Sequence, residues 1–329
     1  MRPQIHQITL KETRDKGEHC VVALGFFDGV HIGHRALLDE ARSASEDQNA
    51  IFSVFTFSDC GDGTYKAGAP RLTEWNERMD LFFRAGVERV YAADFSSLAD
   101  MSPEDFVRDV LLGICHARVA VCGFNFRFGK NASAGAQELE TLMRAYGGST
   151  LVIPPLELDG MTVSSTAIRR ALEDGDISLA NKMLGRPFSI DFPVIHGKML
   201  GRTIGVPTIN QAFLPSFIVP KHGVYACLCT IDGMVHRAVT NVGVRPTVEN
   251  GSTVNCESHI LCFDGWLYGR RIRVGFLHYL RPEIRFDSTD ALVERVKQDI
   301  EDTKAIISDE EINAYARAFS ATVARKGFL

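Results

Sequence analysis

Val21 to Ala41 reads VVALGFFDGVHIGHRALLDEA, and the change of texture inside it decides the fold of the first half of the chain. Val21 to Leu24 are too few for a buried helix and too uniformly apolar for a half-exposed strand, which suits a strand covered on both faces. Gly25 and Gly29 let the backbone turn tightly, and Gly33 leaves no side chain between His31 and His34. Beyond them Leu37, Ala41 and Ala44 repeat at helical spacing. The expectation is strand, phosphate loop and helix. It puts two imidazoles near a helix N-terminus, where unpaired N–H groups and the positive end of the dipole favour an anion such as a phosphate chain. Two other readings of the pair stay open: half of a zinc site, which no neighbouring Cys or carboxylate cluster completes, and two unrelated helix histidines beside a surface loop.

The rest of the first half repeats this alternation. Ile51 to Phe57 (IFSVFTF) is a second strand, and Val87 to Ala93, Arg118 to Cys122 and Leu151 to Ile153 are further apolar runs. Helical segments lie between them at Glu74 to Ala85 and Pro103 to Leu112. Strand and helix taking turns implies a parallel sheet with helices on both faces, whose ligand lies at the carboxyl ends of the strands. The loops after Leu24, Phe57 and Cys122 are therefore expected to converge. The third, Gly123 to Gly129 (GFNFRFG), has three phenylalanines and an arginine able to stack on a flat ring; the other reading is that two of the phenylalanines are core and only Arg127 is solvated. Ser164, Ser165 and Thr166 open a helix with Arg169 one turn on, which serves as an N-cap or as a second phosphate cradle.

Composition narrows the function classes. At 329 residues and 45% apolar content the chain suits two unstapled domains. A net charge of −5 without a basic run argues against a nucleic-acid partner. Eight cysteines without a Cys-x-x-Cys pair read as free thiols of a reducing cytoplasm. No apolar stretch of about 18 residues and no signal pattern stand against membrane insertion or export. A monomer or weak homo-oligomer is expected.

A boundary falls near Leu184 to Pro187, and the texture then turns to short β-rich runs: Phe192 to Ile195, Val224 to Ile231, Arg237 to Val242, Val254 to Phe263 and Ile272 to Tyr279. This predicts an antiparallel barrel, with a helix from Asp287 covering one end. Within it, His196 to Asn210 (HGKMLGRTIGVPTIN) has too many glycines, and Pro207, for a regular strand, so its backbone bends and approaches something closely. Thr208 and Asn210 share one face of an extended segment and are hard ligands suited to Mg²⁺. Glu257, in NCESHIL, is the candidate carboxylate base, with a solvated strand residue as the alternative. Ser308 and Glu311 form a capping box ahead of a last helix whose apolar face carries Ile312, Tyr315, Ala316, Phe319 and Val323.

His31, Ile32, Gly33 and His34 resemble the His-x-Gly-His site of nucleotidylyltransferases. With GFNFRFG and SSTAIRRAL in the same order, the first half resembles the FMN adenylyltransferase module of bacterial bifunctional riboflavin kinase/FAD synthetases. Gly201 to Asn210 (GRTIGVPTIN), Asn241 to Gly243 with Arg245, Pro246 and Thr247, Glu257 with Leu267 to Gly269, and Arg281 to Glu283 resemble the riboflavin kinase module of the same family. The resemblance implies an α/β Rossmann-like adenylyltransferase domain over 1–184, a β-barrel kinase domain over 185–307, and a helical extension over 308–329. It implies phosphorylation of riboflavin to FMN and adenylylation of FMN to FAD, with ATP as substrate of both and Mg²⁺ as cofactor. Gly25, Phe27, Asp28, Gly29, His31 and His34 would hold ATP from one side and Ser164, Ser165, Thr166 and Arg169 from the other. Asn125, Phe126, Arg127 and Phe128 would contact the flavin. In the kinase half Gly197, Lys198, Gly201, Arg202 and Thr208 would line ATP, Thr208 and Asn210 hold Mg²⁺, Glu257 act as base, and Asn241, Arg245 and Arg281 order the flavin. One departure stands out: Asp59, Cys60 and Gly61 replace the family's Pro-His-Pro. A kinase with a degenerate transferase half, and a flavin-binding regulator without activity, stay open as alternatives.

Overall fold

The computed structural model of the chain describes residues 3–8, 17–58, 69–197, 201, 205–246 and 252–319, and it divides into two compact units, Met1–Ser165 and Thr166–Leu329.

In the first unit the strand Cys20–Leu24 is buried at every position. Alternation splits it between two cores: Cys20, Val22 and Leu24 face one, Val21 and Ala23 the other. That double cover is why the run is apolar throughout. The sheet has six parallel strands in the order Gln4–Gln7, Arg89–Ala93, Ile51–Phe57, Cys20–Leu24, Ala117–Gly123, Ser149–Ile153. From Cys20–Leu24 the chain builds outward on one side, then returns to build on the other. The order therefore reverses between Cys20–Leu24 and Ala117–Gly123, and the loops beginning at Gly25 and Gly123 leave the carboxyl ends of those strands, where doubly wound sheets bind ligands.

The first helix, Ile32–Gln48, buries Leu37, Leu38 and Ala41 in one core. The helix expected over Pro103 to Leu112 is α-helical only for Pro103–Asp105, after an Ser102 cap, and then winds as a π-helix over Phe106–Ile114. Its wider pitch, closed by Cys115 N–H to Val110 O at 2.9 Å, brings Phe106, Val110, Leu111 and Cys115 into the other core together.

The second unit is an antiparallel sheet of six strands in the order Phe188–Pro193, Arg271–Arg281, Gly223–Ile231, Met234–Pro246, Ser252–Ile260, Ile209–Ala212. Its ends nearly meet. Ile195 N–H donates to Asn210 O at 2.8 Å, and the fully buried Gln211 amide donates to Phe192 O and Ile272 O at 2.7 and 2.8 Å, tying both edges of the seam. Gly223–Ile231 and Met234–Pro246 are joined by Asp232 and Gly233 alone, at φ 49° and 83°, the left-handed pair that a two-residue hairpin turn requires. Asn181, on the helix Ile177–Leu184, donates to Phe276 O at 2.8 Å and accepts from Phe188 N–H at 2.6 Å, which fixes that helix to the barrel.

Two helices cover the barrel. Thr289–Ile306 starts from a Ser288 cap and carries the buried Asp299, which accepts from both Nε and Nη2 of Arg281, on the barrel, and from Arg295 Nε. Asp309–Phe319 begins with the capping box read from sequence: Glu311 N–H donates to Ser308 Oγ and the Glu311 carboxylate accepts the Ser308 N–H. Tyr315 and Phe319 pack on Ala226, Leu228 and Leu277.

Candidate active sites

The turn after Leu24 is tight and pinned. Phe27 and Val30 take φ of 55° and 38°, a left-handed conformation that costs roughly 1–3 kcal/mol at a non-glycine residue. Three anchors hold it there. The Asp28 carboxylate, 3% exposed, accepts the N–H groups of Leu72 and Thr73 at 3.0 and 3.3 Å. Gly29 N–H donates to the Thr73 hydroxyl at 3.2 Å, and the Phe27 ring meets Phe82 edge-on at 5.4 Å. Arg78, 1% exposed, donates to Phe26 O and Phe57 O at 2.9 and 3.0 Å, linking the loop to the end of the neighbouring strand.

This frame delivers His31 to the N-cap of Ile32–Gln48, where its Nδ1 accepts the His34 N–H at 3.2 Å. A neutral imidazole that accepts at Nδ1 carries its proton on Nε2, which makes it a donor to an oxyanion. The His34 ring stacks on it at 3.6 Å between centroids and 14° between planes. A Cβ at position 33 would stand 3.3 Å from the His31 ring, so the glycine permits the stack. The Ser165 hydroxyl, at the head of the helix Ser165–Asp174, donates to Asp28 O at 2.9 Å and so joins the second hydroxyl-rich element to the phosphate loop. Ser164 immediately precedes that helix, and Thr166 and Arg169 lie within its first turns. Asp59, Cys60 and Gly61 lie outside the described residues.

In the loop Gly123–Gly129, Phe128 is buried against Phe106 at 5.5 Å, Phe126 lies between core and surface, and Phe124, Asn125 and Arg127 are exposed. A second aromatic surface stands at the carboxyl end of Ile51–Phe57: Phe26 and Phe57 lie 4.6 Å apart and Phe95, 49% exposed, is 5.3 Å from Phe57. Beneath the first loop, burial pushes the Cys122 thiol up to about 12, so it stays neutral.

In the barrel the strand register builds the second site. Glu257 pairs across the sheet with Asn210 on one side and Asn241 on the other, one row of three polar side chains on the same face. Asn255 Nδ2 donates to Asn210 Oδ1 at 2.7 Å and reaches Glu257 Oε1 at 3.5 Å; Asn241 Nδ2 donates to Glu283 Oε1 at 3.2 Å. Burial raises the intervening Cys256 thiol to about 12, so it adds no charge beside Glu257. Gly197 lies on this row, and Gly201 lies beside Thr208. A Cβ at Gly197 would fall on the Asn210 amide, and one at Gly201 on Val206 O, 3.4 Å from the Thr208 hydroxyl. Lys198, Arg202 and Thr247 lie outside the described residues, and Arg245 is placed by its backbone pairing with Thr253. The Arg281 guanidinium is engaged by Asp299 at 2.6 Å, so it fastens the covering helix to the strand.

Beside Thr208 opens a cavity of about 380 Å³ lined by Val194, Pro207, Ser258, Phe263 and Tyr268. The His196 ring stacks on Tyr268 at 4.1 Å and Trp266, 69% exposed, meets Tyr268 edge-on. Sequence reading passed over this cavity, Arg78 and Asn255. The last two carried a signal: an arginine on the apolar face of a helix, and an asparagine inside a strand, where that residue is depleted.

For a metal, the donor set is oxygen only, namely the Thr208 hydroxyl, the Asn210 amide and the Glu257 carboxylate. No group of three His, Cys, Asp or Glu side chains fit to hold an ion occurs among the described residues. That suits Mg²⁺, which keeps most of its waters and relies on substrate phosphates, and it does not suit zinc.

A family model described as FAD synthetase matches residues 13–167 and one described as riboflavin kinase matches 184–307. Curated relatives include the bifunctional riboflavin kinase/FMN adenylyltransferases of Listeria monocytogenes, 30% identical over 93% of this chain and 98% of that protein, and of Escherichia coli K12, 35% identical over 86% and 91%. A crystal structure described as a macrolide-efflux protein from Streptococcus pneumoniae superposes with a TM-score of 0.82 at 31% identity, covering 92% of this chain and 99% of that one. Efflux is said of that protein; among the described residues here no helix is long and apolar enough to cross a membrane.

Proposed function

Because the chain belongs to the family of bifunctional riboflavin kinase/FMN adenylyltransferases, we propose that it phosphorylates riboflavin to FMN in its second half and adenylylates FMN to FAD in its first. The observation that carries this reading is the cross-strand row Asn210, Glu257, Asn241, with Gly197 lying on Asn210 and Gly201 beside Thr208. We assign adenylyl transfer to residues 1–184, kinase chemistry to 185–307, and an extension to 308–329.

In the kinase, Glu257 takes the proton of the ribityl 5′-hydroxyl as its oxygen bonds to the γ-phosphorus and the bond to the β–γ bridging oxygen breaks, leaving ADP. Thr208 and Asn210 would hold Mg²⁺, which would supply neutralisation of the phosphate charge. The cavity beside Thr208 receives the purine against the Tyr268 ring, and Gly197, Lys198, Gly201 and Arg202 line the phosphates. Asn241 and Arg245 order the flavin, and Arg281 acts on it through the helix it fastens.

In the transferase, an FMN phosphate oxygen attacks the α-phosphorus of ATP and pyrophosphate leaves. Gly25, Phe27, Asp28 and Gly29 shape the cradle by their backbone. His31 Nε2–H and His34 stabilise the charge that builds on the phosphate oxygens, and no covalent intermediate is needed. Ser164, Ser165, Thr166 and Arg169 close the cradle. Asn125, Phe126 and Arg127, supported by the buried Phe128, take the flavin together with the aromatic surface around Phe95. Small anionic substrates need only local positive charge, while a net charge of −5 without a basic run argues against a nucleic-acid partner; we take the chain to be a cytoplasmic monomer or weak homo-oligomer without a membrane partner.

The test incubates the purified chain with riboflavin, ATP and Mg²⁺ and follows the flavins by chromatography. FMN followed by FAD is expected. E257Q is expected to slow FMN formation roughly 10²–10⁴-fold, the usual worth of a general base, while FMN supplied directly still becomes FAD. FMN accumulating without FAD would assign kinase activity alone, and no product at all would leave a flavin-binding protein.

A further inference from the structure

We propose that Asn255 is a positioning residue of the kinase, fixing which end of the Asn210 amide faces the metal and holding the Glu257 carboxylate beside it. The proposal rests on the roles given above to Asn210 and Glu257.

Asn255 lies in the middle of Ser252–Ile260, paired with Ala212 on one side and Gly243 on the other. It is 5% exposed. Asparagine is a poor strand residue, and a buried amide is costly without hydrogen bonds, so its presence has to be explained by partners. Both partners belong to the site. One nitrogen, Nδ2, faces Asn210 Oδ1 at 2.7 Å and Glu257 Oε1 at 3.5 Å. An amide nitrogen has two hydrogens directed apart, so a single group serves both acceptors.

The consequence for Asn210 is orientation. Its Oδ1 is held on the side of Asn255 and Glu257, and its Nδ2 lies at the place a Cβ of Gly197 would occupy. Flipping the amide would set two NH₂ groups against each other. Asn255 therefore keeps the oxygen, the only atom of that amide able to bind a cation, on the carboxylate side. It turns the NH₂ toward the glycine segment, where a phosphate oxygen would accept it. The second lone pair of Oδ1 stays available to the ion, since one hydrogen bond uses one lone pair.

The experiment uses the full chain with N255A and N255D, beside N210A and E257Q, and measures kinase kcat, half-saturating Mg²⁺ and riboflavin affinity by flavin fluorescence. Thermal melting of the same preparations, followed on the second unit that carries Asn255, reports on folding. Loss of an orienting partner of a metal ligand costs typically 10–100-fold. Kinase kcat is expected to fall and half-saturating Mg²⁺ to rise by about that range in N255A. N255D, with the same shape but an acceptor in place of the donor, is expected to be at least as impaired, with riboflavin affinity within about twofold of the parent, well inside that range. Kinase kcat and Mg²⁺ dependence near parental values in N255A and N255D, while N210A and E257Q are impaired, would overturn the proposal. So would parallel loss of riboflavin binding and turnover, which would make Asn255 a packing residue only. Near-parental kinase activity in N210A and E257Q would overturn the reading beneath it instead.

Discussion

His31 and His34 illustrate how much a single position depends on its anchors. Their stack exists because the Phe27–Val30 turn is held in a conformation its residues disfavour, and the Asp28 carboxylate is the main clasp. Truncating it leaves the buried Leu72 and Thr73 N–H groups without their acceptor, at a cost of about 1–3 kcal/mol. D28A is therefore expected to lower the melting temperature and to cut FAD formation from FMN at least about tenfold, because misplacement by an ångström already costs more than that. FMN formation from riboflavin should persist, since Asp28, Leu72 and Thr73 belong to the first unit. Parental melting and FAD synthesis in D28A would show that the turn holds itself. The glycines and histidines of this turn are legible in sequence. Arg78 is legible only in part: its place on the apolar face of a helix is a signal, but the carbonyls it binds, Phe26 and Phe57, come from distant segments that only the sheet brings together.

At the scale of elements, a feature is legible where its physics is local. Ser308 and Glu311 make the cap expected of them, and Asp232-Gly233, absent from the expectations drawn from sequence, makes the hairpin from an equally local signal. What sequence did not announce depends on tertiary partners. The edge strand Gln4–Gln7 is polar and exposed and is a strand only through its pairing with Arg89–Ala93. Ile209–Ala212 hides behind Pro207 and is fixed by the seam. The cap also makes a prediction with a sign. Burial works against the charge on Glu311, but the Ser308 N–H and hydroxyl and His278, 2.8 Å away, outweigh it and hold the carboxyl below its ordinary 4.5. A depressed acid stabilises the fold above its unfolded value, and the contribution is lost as pH falls through the lower folded value. S308A is expected to cost about 1 kcal/mol, the usual worth of an N-cap, and to speed hydrogen exchange in Asp309–Phe319 at neutral pH. Acidification below 4.5 should loosen the same helix in the parent. Unchanged exchange in both would mean that Tyr315 and Phe319, packed on the barrel, hold the helix without its cap.

At the scale of the molecule, the two halves draw on different chemistry and different residues. The residues proposed for the kinase, Asn210, Asn241 and Glu257, with Asn255 beside them, lie within the second unit, while His31, His34, Asp28 and Ser165, proposed for the transferase, lie within the first. Each reaction can then be removed without the other. FMN is a soluble product of the first reaction and the substrate of the second, so two chains each lacking one activity should complement each other in solution. Riboflavin, ATP and Mg²⁺ mixed with E257Q alone should yield little FMN, and with H34A alone should yield FMN and little FAD, given the roughly 10²–10³-fold worth of a charge-stabilising donor. Together they are expected to restore FAD, after a lag in which FMN accumulates to the level the transferase needs. The lag should shorten as the H34A chain, the source of FMN, is increased at fixed E257Q. FAD that fails to return in the mixture, although E257Q converts added FMN, would mean that the kinase does not release its FMN to solution.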